Sequence, residues 1–387
     1  MKQIINSILD TDIYKLTMQQ CVYRQYPSAT VHYKFVCRNK DVKLGFLMSK
    51  VQQEIDAIRN VRLQSDERDY LSGIPFLRPD YINFLSGYRF DPDNQVYVGQ
   101  TFDGDLEITI GGTWAETILW EVPLLAIVNE LYFRETAPFT DELRRVGENR
   151  LTEKIELIRQ YPRFTLTDFG TRRRYSRKWQ EHIVRGLRDC CTQLVGTSNV
   201  KLAMDLGVKA VGTVAHEFFS AHLALVDNIA EAQKRALYVW LQEYDTDLGH
   251  ALTDTFTTKA FFQDFNKTLT NAFQGLRHDS GDPIEFGYKA IEHYKKMGVD
   301  PKTKSLVFSD GLDIPKAIQI YKEFTGLIGL GFGVGTNLTN DLGPTPLNIV
   351  IKLIECNGKG VAKISDNITK AIGDQDMIAR LKTVYGL

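Results

Sequence analysis

A histidine next to a glutamate, placed just after an apolar run, is the first candidate for chemistry in this sequence. The pattern from Val208 to Val214 predicts a strand, and His216 and Glu217 follow it. An imidazole oriented by a carboxylate, here Glu217 or the later Asp254, serves as a nucleophile or general base. A hydrogen-bonded structural histidine is the alternative interpretation, and the sequence has no H-E-x-x-H spacing that would favour zinc.

Two aspartates follow later predicted strands, and a glycine comes soon after each. They are Asp279, in the run Asp-Ser280-Gly, and Asp310, in the run Asp-Gly. Carboxylates at strand ends could hold Mg²⁺, bind sugar hydroxyls or transfer protons. Turns in which the aspartate caps a helix are the alternative. The recurrence of the two aspartates at equivalent places on successive strands favours a functional role.

A glycine-rich loop predicts an anion site. In Gly331-Phe-Gly333-Val-Gly335-Thr336 the glycines alternate directly after an apolar strand. Their small size lets backbone N–H groups approach an anion closely, and Thr336 would begin the following helix. A tight turn without a ligand is the alternative interpretation.

The run Asp168-Phe169-Gly-Thr-Arg172-Arg-Arg places an aromatic ring and three cations at another predicted strand end. The planar guanidinium of arginine suits carboxylates and phosphates. The start of an exposed helix does not favour so many cations, because the helix dipole opposes them. An anionic ligand is therefore one interpretation, and a solvated charge run is the other.

Alternating strands and helices would position these residues. From Trp114 onward, strand-like runs, such as residues 271–276, alternate with amphipathic helices, such as residues 314–324. This alternation predicts parallel strands with helices outside. The predicted fold class is α/β, with an irregular barrel-like domain at residues 116–344. Residues 1–115 and 345–387 form a predicted discontinuous α+β domain with a mostly antiparallel sheet, which includes a hairpin with its turn at Asp103-Gly104.

The composition excludes several classes of protein. The chain has 387 residues, 43% hydrophobic content and a net charge of -1, which argues against nucleic-acid binding. Its five cysteines form no C-x-x-C pair, so a reduced, cytoplasmic setting is expected. No apolar run is long enough to cross a bilayer, and we expect no membrane partner.

Taken together, these stretches resemble the nicotinate phosphoribosyltransferase family. The matching segments occur in order along nearly the whole chain, and their combination is specific. They are Leu9-Asp-Thr-Asp-Ile-Tyr-Lys-Leu-Thr-Met, Phe-Val-Cys-Arg38, Leu119-Trp-Glu-Val-Pro-Leu-Leu, Asp168-Phe-Gly-Thr-Arg-Arg-Arg, Gly196-Thr-Ser-Asn-Val, Gly212-Thr-Val-Ala-His-Glu-Phe, Leu276-Arg-His-Asp-Ser-Gly-Asp-Pro, Phe308-Ser-Asp-Gly-Leu-Asp and Gly331-Phe-Gly-Val-Gly-Thr.

The resemblance implies a type II phosphoribosyltransferase fold and a homodimer with its active site at the subunit interface. The implied reaction joins nicotinate to phosphoribosyl pyrophosphate and gives nicotinate mononucleotide and pyrophosphate, with Mg²⁺ as cofactor. ATP is the implied co-substrate and transiently phosphorylates His216, which Asp254 orients with Glu217 alongside. The product would enter NAD salvage.

The resemblance also implies roles for the other candidate residues. The nicotinate ring would contact Tyr14 of the partner subunit, Phe169, Ser198 and Arg277. The phosphoribosyl and pyrophosphate groups would be bound by Arg38 of the partner subunit and by Arg172, Asp279, Ser280, Asp310, Gly333, Gly335 and Thr336.

Two positions bear on specificity and charge. Related nicotinamide enzymes have an aspartate where this chain has Ser198, and a carboxylate there would repel nicotinate, so Ser198 favours the acid. The family's pyrophosphate-binding arginine is replaced by Asn340, so another cation such as Lys363 is needed.

Three alternatives remain open at this point. The same fold could use nicotinamide. A barrel hydrolase could use Asp279 and Asp310 as acid and base. A metabolite sensor would bind nicotinate without consuming ATP.

Overall fold

The computed structural model describes residues 3–367 and 371–387. The chain divides into two compact units. Unit 1 comprises Met1–Ser28, His32–Gly212 and Val334–Lys352, and unit 2 comprises Ala29–Val31, Thr213–Gly333 and Leu353–Leu387. Both units are therefore built from separate stretches of the sequence.

From residue 3 to Gly212, the described part of the chain forms mostly helices, with six strands between them. The helices are α1 (Ile13–Gln25), α2 (Met48–Ile58), α3 (Ser65–Ser72), α4 (Pro79–Gly87), α5 (Pro92–Gln95), α6 (Trp114–Thr117), α7 (Glu121–Thr136), α8 (Asp141–Arg159), α9 (Arg177–Cys190) and α10 (Val200–Leu206). The strands are β1 (Thr30–Cys37), β2 (Val96–Gln100), β3 (Leu106–Thr113), β4 (Leu166–Asp168), β5 (Leu194–Thr197) and β6 (Lys209–Ala210).

After Gly212 strands and helices alternate more regularly. The helices are α11 (His216–Leu225), α12 (Ala232–Tyr244), α13 (Thr258–Asp264), α14 (Lys267–Ala272), α15 (Pro283–Lys296), α16 (Ile314–Phe324), α17 (Thr336–Thr339) and α18 (Gln375–Tyr385). The strands are β7 (His250–Leu252), β8 (Gly275–His278), β9 (Ser305–Phe308), β10 (Gly329–Val334), β11 (Ile349–Cys356), β12 (Lys359–Gly360), β13 (Ala362–Lys363) and β14 (Ile372–Gly373).

The strands fall into a parallel and an antiparallel class. In unit 1, β4 pairs with β5 and β5 with β6, and in unit 2 the order is β10, β9, β8, β7, all in parallel. A separate sheet has the order β12, β11, β1, β3, β2, in which β2 and β3 form the expected antiparallel hairpin. The predicted fold class is therefore confirmed.

Local sequence explains the helices that flank the parallel strands. Helix α15 begins where the Asp282 carboxylate accepts hydrogen bonds from the N–H groups of Ile284 and Glu285, at 2.9 and 2.8 Å. Pro283 stands at the first helical position, where its missing N–H has no partner to lose. The apolar face of α15 is buried, as its periodicity indicates.

The structure differs from the predicted elements at two places. Residues 271–276 were expected to form a strand, but α14 continues to Ala272 and the strand begins at Gly275. The run 208–214 pairs only at Lys209–Ala210. Both runs are short and mix polar with apolar residues, so periodicity does not fix where a strand begins or ends in them.

The predicted domain bounds remain a prediction, and contacts along the chain decide which residues share a compact unit. Residues 164–212 belong to unit 1, because the N-terminal segment is bonded to them. Asp10 pairs with Arg174, and the N–H of Ile13 donates to the Ser198 carbonyl at 2.8 Å. Within the described ranges, no helix has the length and apolar composition that crossing a membrane requires.

Candidate active site

Four neighbouring strands of unit 2 end at the same edge. The register aligns the last residues of these strands, pairing Leu252 with Arg277, His278 with Phe308, and Phe332 with Phe308. Asp254, Asp279 and Asp310 therefore follow adjacent strand ends, and Gly333 is the penultimate residue of β10. The predicted convergence of these strand ends is present within unit 2.

His216 is the first residue of α11, and its ring is held at both nitrogens. Its Nδ1 lies 3.0 Å from the Thr255 hydroxyl, and its Nε2 lies 2.9 Å from Asp279 Oδ2 and 2.7 Å from Lys363 Nζ. The nearest oxygen of Asp254 is 3.7 Å from Nε2. The closest carboxylate is thus that of Asp279, with Asp254 as a second negative charge, while Glu217 follows on the first turn of the helix.

Asp254 anchors a network of hydroxyl groups beneath the histidine. Its Oδ2 accepts hydrogen bonds from Ser280 at 2.6 Å and from Ser365 at 3.3 Å, and it lies 3.4 Å from Lys363 Nζ. Ser365 also donates to the Ser280 oxygen at 2.9 Å. Ser280 is therefore a support for Asp254 in this structure.

Arg277 and Ser309 position Asp279 from the other side. Arg277 donates to the Val214 carbonyl at 3.0 Å, and its other terminal nitrogen lies 3.7 Å from Asp279 Oδ2. The Ser309 hydroxyl donates to Asp279 Oδ1 at 2.9 Å. Asp310 follows Ser309 and is half-buried. The Asp279 carboxylate is thus hydrogen-bonded to the residue that precedes Asp310.

The protonation states follow from burial and from these charges. Burial, joined by the nearby Lys363 ammonium, lowers the pKa of His216 and outweighs Asp254 and Asp279, so the ring is neutral at pH 7. Burial alone would raise the pKa of Asp279, but Arg277 and the hydrogen bond with His216 bring it well below its usual value. The site thus combines a neutral imidazole with ionised carboxylates.

His216, Asp254 and Asp279 have ligand atoms within 4.8 Å of one another, as a metal site would require. However, the ammonium group of Lys363 lies against two of the three residues and supplies the positive charge. Mg²⁺ also prefers oxygen ligands to imidazole. This triad therefore does not fit a resident magnesium ion.

Unit 1 holds Tyr14, Phe169 and Ser198, three of the four residues predicted to contact the nicotinate ring, and Arg277 lies in unit 2. Phe169 is half-buried directly after β4, and Tyr14 is half-buried on α1. The Ser198 hydroxyl donates to Asp12 Oδ1 at 2.7 Å, and burial raises the pKa of Asp12 against the influence of Arg172. Ser198 is thus neutral but has a carboxyl group as its neighbour.

The three consecutive arginines have three different roles. Arg174 is fully buried and pairs with Asp10, at 2.6 Å between Nη1 and Oδ1. Arg173 donates from Nε to the Ile349 carbonyl at 3.0 Å. Arg172 is the most exposed, at 44% of its side chain, and lies 3.4 Å from Glu121. Of the three, Arg172 is therefore the most accessible to an anionic ligand.

The glycine-rich loop is divided between the units, with Gly333 in unit 2 and Gly335 and Thr336 in unit 1. A Cβ atom on Gly335 would lie 3.1 Å from the Phe169 carbonyl oxygen, so this position favours glycine. Helix α17 begins at Thr336, as expected. Arg38 is half-buried after β1, and its N–H donates to the Asn348 carbonyl at 2.9 Å.

Two contacts of His216 were not predicted from the sequence, namely those with Thr255 and with Lys363. Thr255 directly follows Asp254, but a hydroxyl after a carboxylate is too common to be a signal. Lys363 interrupts the apolar run Val361-Ala-Lys-Ile, and a lysine there was the available signal. Asn340, for which Lys363 was to compensate, donates to the Arg173 carbonyl at 2.8 Å.

Comparisons with known proteins agree with this fold. The model of the nicotinate phosphoribosyltransferase (NAPRTase) family matches residues 164–387, and that of its N-terminal domain matches residues 9–129. The nicotinate phosphoribosyltransferase of Shigella boydii serotype 18 is 46% identical over 394 residues, which cover 99% of this chain and 96% of that protein. Its counterpart from Escherichia coli strain SMS-3-5 has the same identity and coverage.

Solved structures give the same result. The nicotinate phosphoribosyltransferase of Porphyromonas gingivalis is 38% identical, with a TM-score of 0.95 over 99% of this chain and 100% of that one. That of Vibrio cholerae is also 38% identical with a TM-score of 0.95, over 100% of this chain and 94% of that one. The chain belongs to the nicotinate phosphoribosyltransferase family.

Proposed function

We propose that the protein transfers phosphoribose from phosphoribosyl pyrophosphate to nicotinate, coupled to ATP hydrolysis through a phosphohistidine at His216. The products are nicotinate mononucleotide and pyrophosphate, and the reaction serves NAD synthesis by the Preiss-Handler route. The active enzyme is a cytoplasmic homodimer with its active site at the subunit interface, to which Tyr14 and Arg38 come from the partner subunit.

The observation that carries this proposal is the environment of His216. A phosphoryl acceptor must be neutral, because only a neutral imidazole has a free lone pair. Burial and Lys363 keep the pKa of His216 low, while the Thr255 hydroxyl contacts Nδ1 and Asp279 Oδ2 lies 2.9 Å from Nε2. In the proposed step a ring lone pair attacks the terminal phosphorus of ATP, a P–N bond forms, and ADP leaves with the electrons of the broken P–O bond.

Phosphorylation would then change the charge of the site. A phosphoryl group adds close to two negative charges at neutral pH, and Lys363 and Arg277 are the cations near the ring. The added charge would tighten binding of the Mg²⁺-bearing pyrophosphate end of the substrate. Hydrolysis of the phosphohistidine after turnover would release the products.

The sugar-transfer step depends mostly on positioning and charge. Asp279 and Asp310 are proposed to bind the ribose hydroxyls, with Ser280 behind them. Gly333, Gly335 and Thr336 would bind the 5′-phosphate with Arg172. Mg²⁺ would stabilise the leaving pyrophosphate, and Asp310 is an oxygen donor of the kind that this ion accepts.

Phe169 and Tyr14 are proposed to stack on the two faces of the pyridine ring. Arg277 would pair with the nicotinate carboxylate. Ser198 supports selection of the acid, because a serine adds no negative charge there. A competition assay with nicotinate and nicotinamide tests this, and preferred use of nicotinamide would contradict it.

Incubation with ATP labelled in its terminal phosphate tests the phosphohistidine. The wild-type protein should acquire an acid-labile, base-stable label, and His216→Asn should acquire none. His182→Asn is the matched control, since the His182 side chain is 47% exposed and should label like the wild type. Equal labelling of the His216→Asn variant would refute the role of His216, and a protein that binds nicotinate without consuming ATP would be a sensor.

A further inference from the structure

The Nε2 atom of His216 has two neighbours with opposite requirements. Lys363 Nζ, at 2.7 Å, can only donate a hydrogen bond, so it needs Nε2 to be unprotonated. Asp279 Oδ2, at 2.9 Å, can only accept one, so it needs a proton on Nε2. One ring nitrogen cannot satisfy both, and the neutral ring must adopt one tautomer.

The surroundings favour the tautomer that Lys363 requires. The Lys363 contact is the shorter one, and Asp279 has other partners in Ser309, at 2.9 Å, and Arg277, at 3.7 Å. The Thr255 hydroxyl beside Nδ1 can act as an acceptor, so a proton on Nδ1 has a partner.

The backbone holds Lys363 in this position. The Ala362 carbonyl accepts a hydrogen bond from Ser220 at 3.1 Å, and the N–H of Ile364 donates to the Thr255 carbonyl at 2.9 Å. Lys363 is also paired with Ile372 across β13 and β14. Lys363 thus lies on a strand whose next residue is hydrogen-bonded to Thr255, and Thr255 contacts the other ring nitrogen of His216.

We propose that Lys363 is a positioning residue that fixes His216 in the neutral tautomer with its proton on Nδ1 and its lone pair on Nε2. This deepens the proposed function and rests on it, since the lone pair matters only if His216 accepts a phosphoryl group. It replaces the role of substitute pyrophosphate ligand that the sequence suggested for Lys363. The ammonium group also stands where it would pair with the incoming phosphoryl oxygens.

The test is the tautomer of His216 in the full-length protein without ATP or substrates. Long-range ¹H–¹⁵N correlation spectra of protein labelled at its histidines distinguish the two tautomers, and the signals lost in His216→Asn identify the residue. The wild type should carry its proton on Nδ1. In Lys363→Met the proton should move to Nε2, where Asp279 accepts it. Lys359→Met is the matched control, because Lys359 is exposed on β12 and should leave the tautomer unchanged.

A proton on Nε2 in the wild type would overturn the proposal, even if the Lys363→Met variant failed to fold. An identical tautomer in wild type and Lys363→Met would overturn it as well. With ATP added, Lys363→Met should label about 10- to 100-fold more slowly, as expected for loss of a charged hydrogen bond, and Lys363→Arg should recover part of the rate. Absence of labelling in the wild type would instead refute the proposed function and leave the tautomer result standing.

Discussion

The charged groups inside the two units differ in how exposed they are and in how completely they are paired. In unit 1, Arg174 and Asp10 are 0% and 1% exposed, and two direct contacts join them. In unit 2, His216, Asp279 and Lys363 are 20 to 27% exposed, and two of them compete for one nitrogen atom. A fully buried pair bonded to itself, such as Arg174 with Asp10, is here called a closed pair, and it stabilises the fold. Partly exposed groups that compete for one hydrogen-bonding atom, such as those around His216, are here called the open group, and they can take part in chemistry.

The largest expected effect is on the closed pair. Arg174→Met should lower the free energy of unfolding by about 3–5 kcal/mol, because Asp10 would remain buried without its main counter-ion. Urea denaturation followed by circular dichroism measures this.

Arg185→Met is the matched control, since Arg185 and Glu181 pair at 2.6 Å with both side chains well exposed. This pair should contribute less than about 0.5 kcal/mol. Equal losses in the two variants would remove the distinction between a closed pair and an exposed one.

Asp168 gives the next largest effect, and it depends on pH. Burial raises the pKa of Asp168 from 3.8 to about 6, although Thr197, Gln180 and the N–H of Gly170 donate to it. The stability that protonated Asp168 contributes is therefore fully present below pH 3.8, its ordinary pKa in the unfolded chain, and is lost as pH rises through about 6. The difference between the pKa of Asp168 in the folded and in the unfolded chain corresponds to about 3 kcal/mol of stability. A ¹³C titration of the carboxyl groups should show one group titrating near pH 6, and only ordinary values would contradict this.

The smallest expected effect concerns the open group. Thr255→Val removes the partner of His216 Nδ1 and should slow labelling by ATP about tenfold, the value of one hydrogen bond. Thr255→Ser keeps the hydroxyl and should label at nearly the wild-type rate. If valine and serine label equally, the contact at Nδ1 does not orient the ring.

Much of the fold could be predicted because its signals are local. Helix α16 was expected at Ile314–Phe324 and occurs there, and the β2–β3 hairpin forms around its glycine turn. Residues 271–276 were predicted wrongly as a strand, since a short run of mixed polar and apolar residues fits a helix as well as a strand. Compact units were less predictable than elements, because contacts such as Asp10 with Arg174 join residues far apart in sequence.

The candidate site was predictable in its members but not in its contacts. Strand-end aspartates and His216 stand out in the sequence, because parallel strands bring such residues to one edge. The preference of His216 for Asp279 over Asp254, and the approach of Lys363, depend on side-chain geometry that no spacing encodes. Of the three consecutive arginines, burial alone separates Arg174 from Arg172.

The chain passes between units 1 and 2 at Ser28, Val31, Gly212, Gly333 and Lys352. A fragment that ends at Gly212 would therefore lack Val334–Lys352, and one that begins at Thr213 would retain that piece without the rest of its unit. Neither half can be expressed alone as an intact folding module. Engineering by truncation or domain exchange must keep both ends of the polypeptide together.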